Sequence, residues 1–328
     1  IAQEIGMDAA ERRMKNLLQE GDTAPSGERW GVIRAQETLK AAMDKIGWDS
    51  PKSANVGRGV AMYERAPIGG DSSCNLIVHP DATITLQLPV PDSGQGVNTA
   101  MRQILAERLD IDPRTITVET VSTQDLTFDI GSSGSRTTFA VGVTVMEAVD
   151  QLEAKLGEAA VGGPFEEAAA ILTAEEGGSV TIKVHKAVPF VPDPPGTTFS
   201  ALAAEVEVDP ETGNVKVLRM VSANDVGQVI NPIGHRGQVE GGTIFGLGMA
   251  LMGEQTLIDG QAMSLNLGDY KIPNIQDIPS FESVLLPRDS GPGPFNAGPI
   301  GEATNVPAPA AIANAVHDAI GTHVRELP

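Results

Sequence analysis

The sequence predicts an α+β fold in two lobes, with mixed sheets and packed helices, and three observations carry that reading. Between Asp81 and Asp110 the apolar period changes from that of a strand to that of a helix. Between Ala203 and Met220 two β-branched runs flank Asp209-Pro-Glu-Thr-Gly-Asn, a turn with defined chemistry. At Gly237-Gln238 a second Gly-Gln turn precedes a second helix, an echo of Gly94-Gln95-Gly96 that suggests an internal repeat. A chain of 328 residues holds one large or two medium domains with proper cores. The expected divisions are a helical segment at 1–56 that packs on a partner chain, a first lobe at 57–190 and a second at 191–328.

The elements follow in order. The opening reads as the middle of a domain, and from Ala9 an amphipathic helix sets Met14, Leu17 and Leu18 on one side. Thr23 to Glu28 is a polar turn. Arg34 to Ile46 is a second helix, with Leu39, Ala42 and Met43 inward and Gly47 ending it. Gly57 to Glu64 is a strand introduced by glycine, Pro67 to Ser73 a loop, and Asn75 to Val78 leads into the strand from Ala82 with Ile84, Leu86 and Leu88 on one face. After Ser93-Gly94-Gln95-Gly96 comes a helix marked by Met101, Ile104, Leu105 and Leu109. Thr115 to Val121 is a strand, and the hydroxyl-rich loop from Gly131 runs into a helix from Phe139 to Leu156. Pro164 to Leu172 is a short helix, Val180 to Val184 a strand, and Val191 to Gly196 the connection between lobes. In the second lobe the hairpin leads to Asn231-Pro232 and a helix with Ile244, Leu247 and Leu251, where Gly242, Gly246 and Gly248 serve close packing. A strand at Phe281 to Leu286 and a helix from Ala308 to Ile320 close the chain.

Composition narrows the function. A net charge of −20 disfavours nucleic acid and anionic membrane as partners. Cys74 is the only cysteine, so the chain forms no internal disulfide and holds no iron–sulfur cluster by itself. No apolar run reaches membrane-spanning length and no charged leader opens the sequence, so a cytoplasmic enzyme or subunit is expected. The five histidines (His79, His185, His235, His317, His323) show no zinc-ligand spacing and read as surface or satisfied polar residues; no metal ligand is expected on the chain. Neither a phosphate-binding Gly-x-x-x-x-Gly-Lys loop nor a dinucleotide fingerprint is present, and Ser133 and Ser135 lack a nucleophile elbow.

Two places can carry chemistry. The glycines at Gly94 and Gly96 allow close backbone approach, and the helix start behind them offers free N–H groups to an anion; a plain strand-to-helix turn is the competing reading. Glu302 sits between a glycine-rich loop and a helix start, flanked by Ile300, Ala303 and Val306 with no basic neighbour in sequence. Either it is a carboxylate whose dry setting raises its pKa and makes it a base near neutrality, or it is a helix-start acid stabilised by the dipole.

Taken together and in order, these motifs resemble the C-terminal half of the molybdopterin-binding subunit of the xanthine dehydrogenase/aldehyde oxidase family. The likeness rests on Ile5-Gly-Met-Asp, Gly94-Gln95-Gly96, Gly134-Ser135-Arg136, Asp225-Val226-Gly227, Asn231-Pro232, Gly237 to Gly242, Tyr270-Lys271, Asp277-Ile278-Pro279 and Gly301-Glu302, and covers almost the whole chain. It looks like the split form in which this subunit is made as two chains, as in bacterial nicotinate dehydrogenase. The resemblance implies a two-lobed molybdenum-cofactor-binding fold and a hydroxylase that places water-derived oxygen on an electron-poor carbon of an N-heteroaromatic or purine. It implies that Ser93, Gly94, Gln95 and Gly96 contact the pterin and the metal's ligands, as do Gly134, Ser135 and Thr137, with Gln238 a further pterin contact. Glu302 matches the catalytic base, and Met62 and Tyr63 align with a substrate-lining segment in which core packing is the other role for Met62. The implied cofactor is a molybdopterin, with the cytosine dinucleotide form an option, and the implied partners are a large molybdopterin subunit, an iron–sulfur subunit and an FAD subunit. A non-catalytic scaffold and an aldehyde-oxidising or reductive member stand as alternatives. The family's Gly-Val-Gly-Glu reads Gly298-Pro299-Ile300-Gly301-Glu302 here. Its Ala-Phe/Tyr-Arg loop is expected on another polypeptide, so the chain is expected to be inactive alone.

Overall fold

The computed structural model describes every residue except 24–26, 28, 123, 158–162, 191–196 and 287, so most of the polar turn at 23–28 and the whole expected connection at 191–196 lie outside the described residues. In chain order the elements are α1 (Ala9–Asn16), α2 (Ala35–Ile46), β1 (Val56–Arg65), β2 (Gly70–Val78), β3 (Ile84–Leu88), α3 (Val97–Leu109), β4 (Ile116–Thr120), α4 (Gly142–Leu156) and α5 (Phe165–Glu175). They continue with β5 (Val180–Val188), β6 (Thr198–Val208), β7 (Val215–Asp225), α6 (Pro232–Leu251), β8 (Leu257–Ile258), β9 (Gln261–Ala262), α7 (Leu267–Tyr270), β10 (Ser280–Leu285) and α8 (Pro307–Ile320).

Two four-stranded mixed sheets organise these elements, and β8 and β9 form a small separate ribbon. The first sheet has the order β4-β3-β2-β5, with β3 and β4 parallel and joined by α3. Its core is the face that carries Leu76, Ile84, Leu86, Leu88, Ile182 and Val184. Onto it pack Met101, Ile104 and Leu105 of α3 and Val145, Val149 and Leu152 of α4. Strand β5 buries alternate residues, as a one-sided strand must.

The second sheet has the order β1-β6-β7-β10 and is covered on both faces. Along β6, Leu202, Ala204 and Val206 face Ala308, Ala311, Ile312 and Ala315 of α8, while Ala201 and Ala203 face Leu39, Ala42 and Ile46 of α2. The small residues of β6 let helices approach from both sides.

This arrangement corrects the expected divisions in two ways. The opening helices bury their apolar stripe on the chain's own second sheet, with Ala10 and Leu39 in the same cluster as Val60 and Val221, so the 1–56 segment packs within the chain. Strand β1, expected in the first lobe, pairs antiparallel with β6 over its full length. The reason is steric: a Cβ on Gly57 or Gly59 would lie 2.1 Å from the carbonyl oxygen of Ala315 or Ala311, so these glycines let α8 lie directly on β1. Arg58, between them, is buried and points the other way. Its Nε donates to Glu205 at 2.6 Å and its Nη1 to the carbonyls of Gly47, Trp48 and Ser50, which ties the end of α2 to the sheet.

The second Gly-Gln pair also differs from expectation. Gly237 and Gln238 lie inside α6, which starts at Pro232 behind Asn231, whose side chain accepts from Gly234 N at 3.1 Å. An Asn cap followed by Pro in the first turn decides the start, not the glycines. Gly242 and Gly246 do serve close packing: a Cβ on them would reach Thr304 Oγ1 at 2.0 Å and Ala308 Cβ at 2.4 Å.

Gly59→Ala is expected to destabilise the chain by about 1–3 kcal/mol, since neither the strand nor α8's backbone can give way. Gly241→Ala, where a Cβ meets nothing within 4 Å, should stabilise by at most about 1 kcal/mol. Urea denaturation of both variants checks the contrast.

Candidate functional site

The first wall of the site is the turn between β3 and α3. Gly94 and Gly96 both take positive φ, 110° and 80°, which suits glycine alone. Part of the N–H set at the start of α3 is engaged by the chain itself. Asp92 accepts from Gly94 N and Gly96 N at 3.0 Å and from Asn98 N at 3.3 Å. Partial burial opposes its charge, but these three donors outweigh it and hold its carboxyl below the usual range. Asp92 thus caps the turn and one N–H of the first turn of α3. Gln95 is held in the same turn, accepting from Ser93 N at 2.7 Å and donating to Pro91 O at 3.1 Å.

The second wall is the hydroxyl loop ahead of α4. Arg136 is fully buried and fixes it, donating to the carbonyls of Gly69, Gly70, Asp71 and Gly131 and pairing with Asp129 at 3.2 Å. A buried charge so completely satisfied holds the loop at the start of β2, 65 residues away in sequence from Asp71. Gly134 and Ser135 are both left-handed, at φ 57° and 59°. A Cβ on Gly134 would strike Ile68 Cδ1 at 2.4 Å and approach Arg65 Nη2 to 2.7 Å. A π-helical turn at Thr137–Val141 then carries the chain into α4.

The third wall is the segment that carries Glu302. It is aligned by the end of β7: Gly298 N donates to Val226 O at 2.7 Å and Gln228 N to Asn296 O at 3.2 Å. Gly227 is required there, because a Cβ would sit 2.0 Å from Asn296 O. Behind it Arg288 pairs with the buried Asp225 at 3.1 Å and donates to the Ser290, Val32 and Thr197 carbonyls. Burial raises the Asp225 carboxyl despite the guanidinium, and burial lowers Arg288.

Ser93, Gln95, Gly134, Ser135, Thr137, Gln238 and Glu302 line one cavity of about 330 Å³. Gly96 lines a neck of about 80 Å³ that shares Gln95, Thr138, Gln238 and Ile300 with it. The neck shares Gln228, Val229 and Ile230 with a groove of about 640 Å³ along α3, which Gln103, Glu107 and Asp110 border. Gly94 shapes its turn without lining these spaces. Met62 packs among Trp30, Ile33 and Phe199, the core role, and Tyr63 is half-buried on β1 opposite Ser200; neither lines the cavity.

Glu302 is not in the apolar setting its sequence neighbours suggest. Its Oε2 lies 2.5 Å from Arg65 Nη2, and its side chain is 47% exposed against 19% for Arg65. The Ser135 hydroxyl donates to the same Oε2 at 3.2 Å and accepts from Glu302 N at 2.9 Å. Arg65 has no local signal in the sequence; only the pairing of β1 beside β6 brings it here. Asp92 is different, since an Asp just ahead of a Gly-rich helix start is a turn signal. His235, expected to be a surface or satisfied polar residue, lines the neck with Nε2 buried and unpaired, and burial pushes its pKa down to about 4. Gln103 Oε1, on the groove, is likewise buried without a partner. Among the described residues no group of three His, Cys, Asp or Glu is arranged to hold a metal ion, and no helix is long and apolar enough to cross a membrane.

Because His235 binds its proton more weakly folded than unfolded, stability should be full above pH ~6.5 and fall as the pH drops from ~6.5 to about 4. Urea midpoints across that range should fall less steeply for His235→Gln; an unchanged slope would show that His235 is not the titrating group.

Residues 35–279 match the family model for the molybdopterin cofactor-binding domain. The putative xanthine dehydrogenase molybdenum-binding subunit of Escherichia coli K12 is 26% identical, over 99% of this chain and 48% of that protein. The gamma subunit of the 6-hydroxypseudooxynicotine dehydrogenase complex of Paenarthrobacter nicotinovorans is 28% identical, over 99% of this chain and 47% of that one. The chain thus spans about half the length of the curated relatives it matches. Among solved structures, the aldehyde oxidoreductase of Desulfovibrio gigas superposes with a TM-score of 0.84 at 26% identity, covering 100% of this chain and 38% of that chain. Quinoline 2-oxidoreductase of Pseudomonas putida 86 superposes with a TM-score of 0.84 at 22% identity, covering 98% and 48%, a likeness of fold.

Proposed function

Because this chain belongs to the molybdopterin cofactor-binding domain family, we propose that it builds one half of the site of a molybdenum hydroxylase. The reaction is hydroxylation of an electron-poor carbon with water-derived oxygen, and the substrate class is an N-heteroaromatic such as nicotinate or a purine. One observation carries the reading: residues far apart in sequence, from Ser93 to Glu302, converge on a single cavity. The purine and pyridine-derived compounds in the names of two relatives support the substrate class.

The donor set fits a pterin-type cofactor. Hydroxyls of Ser93, Ser135 and Thr137 and amides of Gln95 and Gln238 face one space, and the buried, unpaired atoms of His235 and Gln103 along the neck and groove are polar groups that a bound polar arm would satisfy. The carboxylates of Glu107 and Asp110 on the groove suit an exocyclic amine, so the cytosine dinucleotide form is part of the proposal. When bound, the cofactor supplies two-electron redox chemistry and Lewis acidity. The chain's own residues orient it, and Glu302 accepts a proton from the water-derived nucleophile. The other half of the site comes from a large molybdopterin subunit, and electrons leave through iron–sulfur and FAD subunits. A cytoplasmic location belongs to the same proposal.

In the complex purified with its partner chains, Glu302→Gln should keep molybdenum and pterin at wild-type content while lowering turnover of an N-heteroaromatic by about 10²–10⁴-fold. Near-normal turnover would remove Glu302 from the mechanism. A wild-type complex without molybdenum would overturn the whole reading in favour of a scaffold.

A further inference from the structure

We propose that Arg65 is a positioning residue for Glu302, holding one carboxylate oxygen so that the other is presented to the cavity. The inference rests on the reading of Glu302 as the base and goes beyond it. Three observations converge. The ion pair from Arg65 Nη2 and the hydrogen bond from the Ser135 hydroxyl both fall on Oε2, at 2.5 and 3.2 Å, while Oε1 carries no hydrogen bond among the described residues. Arg65 is itself placed by the sheet: it closes β1 opposite Thr198, its side chain is 19% exposed, and Glu302 is its ion-pair partner among the described residues, with Nε buried and unpaired. The space that its guanidinium occupies exists because residue 134 is glycine.

The chemistry follows from carboxylate geometry. A base works only when its free oxygen lies within hydrogen-bond reach of the proton it takes. Glu302 stands on a turn ahead of α8 with a half-exposed side chain, so its rotamers are free unless something pins them. Ser135 pins the backbone as well, through Glu302 N, but a single hydroxyl leaves the carboxylate free to swing. The guanidinium adds a second, charged contact on the same oxygen, which anchors Oε2 and restricts the swing of the group. Arg65 thus acts through Glu302 and is not itself a catalytic residue.

The test uses the complex purified with its partner chains, nicotinate or hypoxanthine as substrate, and a dye acceptor. Arg65→Ala should lower kcat by about 10²-fold, the scale of a roughly 1 Å misplacement, with KM and molybdenum content within about twofold of wild type. Guanidinium chloride at low millimolar concentration should restore part of that loss in Arg65→Ala, and none in Glu302→Gln. A crystal structure of the Arg65→Ala complex should show the Glu302 carboxylate released from Ser135. Unchanged kcat, a loss confined to KM, or a carboxylate that keeps its orientation without Arg65 would each overturn the proposal. If neither substrate is turned over by the wild-type complex, the substrate class proposed above fails; if Glu302→Gln keeps full turnover, the reading of the base fails. The crystal structure still decides whether Arg65 holds the carboxylate.

Discussion

The contact on which the rest depends is the one between α8 and β1, made backbone to backbone because Gly57 and Gly59 have no side chains. It brings two segments from opposite ends of the chain into register. Strand β1 then runs forward from these glycines to Arg65, while the turn ahead of α8 runs back to Glu302, and the two side chains meet. A larger residue at either glycine would push against the backbone of α8, the helix that follows the Glu302 turn. Packing at one end of the sheet thus sets electrostatics at the other.

Two buried arginines turn the remaining loops into fixed walls. Arg136 satisfies four backbone carbonyls and Asp129 around the hydroxyl loop, and Arg288 does the same for Asp225 and three carbonyls near the segment 290–298. Burying a guanidinium costs much more than burying a leucine, and the cost is offset only when its donors are used. The segment 290–298 has backbone bonds of its own, to Val226 and Gln228, and Arg288 adds a tie from Ser290 to the carbonyls of Val32 and Thr197. That is consistent with sites built on loops that must hold a geometry to a fraction of an ångström.

Much of the local structure is legible from the residues. The αL cap at Gly47, the change of period after Gly96, the hairpin around Asp209-Pro-Glu-Thr-Gly-Asn and the helix ending at Ile320 all follow from short-range chemistry. Where local signals compete, the stronger one wins: Asn231 with Pro232 starts α6, although Gly237-Gln238 reads as a turn. Of the site, Gly94, Gly96 and Glu302 stand out from local chemistry, whereas Ser93, Gln95, Gly134, Ser135, Thr137 and Gln238 enter only through the family resemblance, and Met62 and Tyr63, which it also offers, do not line the cavity. The environments of the site residues were not legible. Glu302 reads as an acid among apolar neighbours, yet its carboxylate meets a guanidinium from β1; His235 reads as an ordinary surface polar residue, yet it lines a neck with one nitrogen unpaired.

The sequence by itself determined most of the helices and strands, the α+β class and the family likeness, since those depend on periodicity, turn chemistry and the order of motifs; it missed that β2 already begins at Gly70, inside a stretch expected as a loop. The tertiary structure alone decided which sheet β1 joins, that α1 and α2 close on their own chain, and that Arg65 stands beside Glu302. The physical reason is range. Capping, turns and amphipathic stripes act over a few residues, whereas the pairing of a strand near residue 60 with one near 200 is a competition among surfaces that no short stretch encodes.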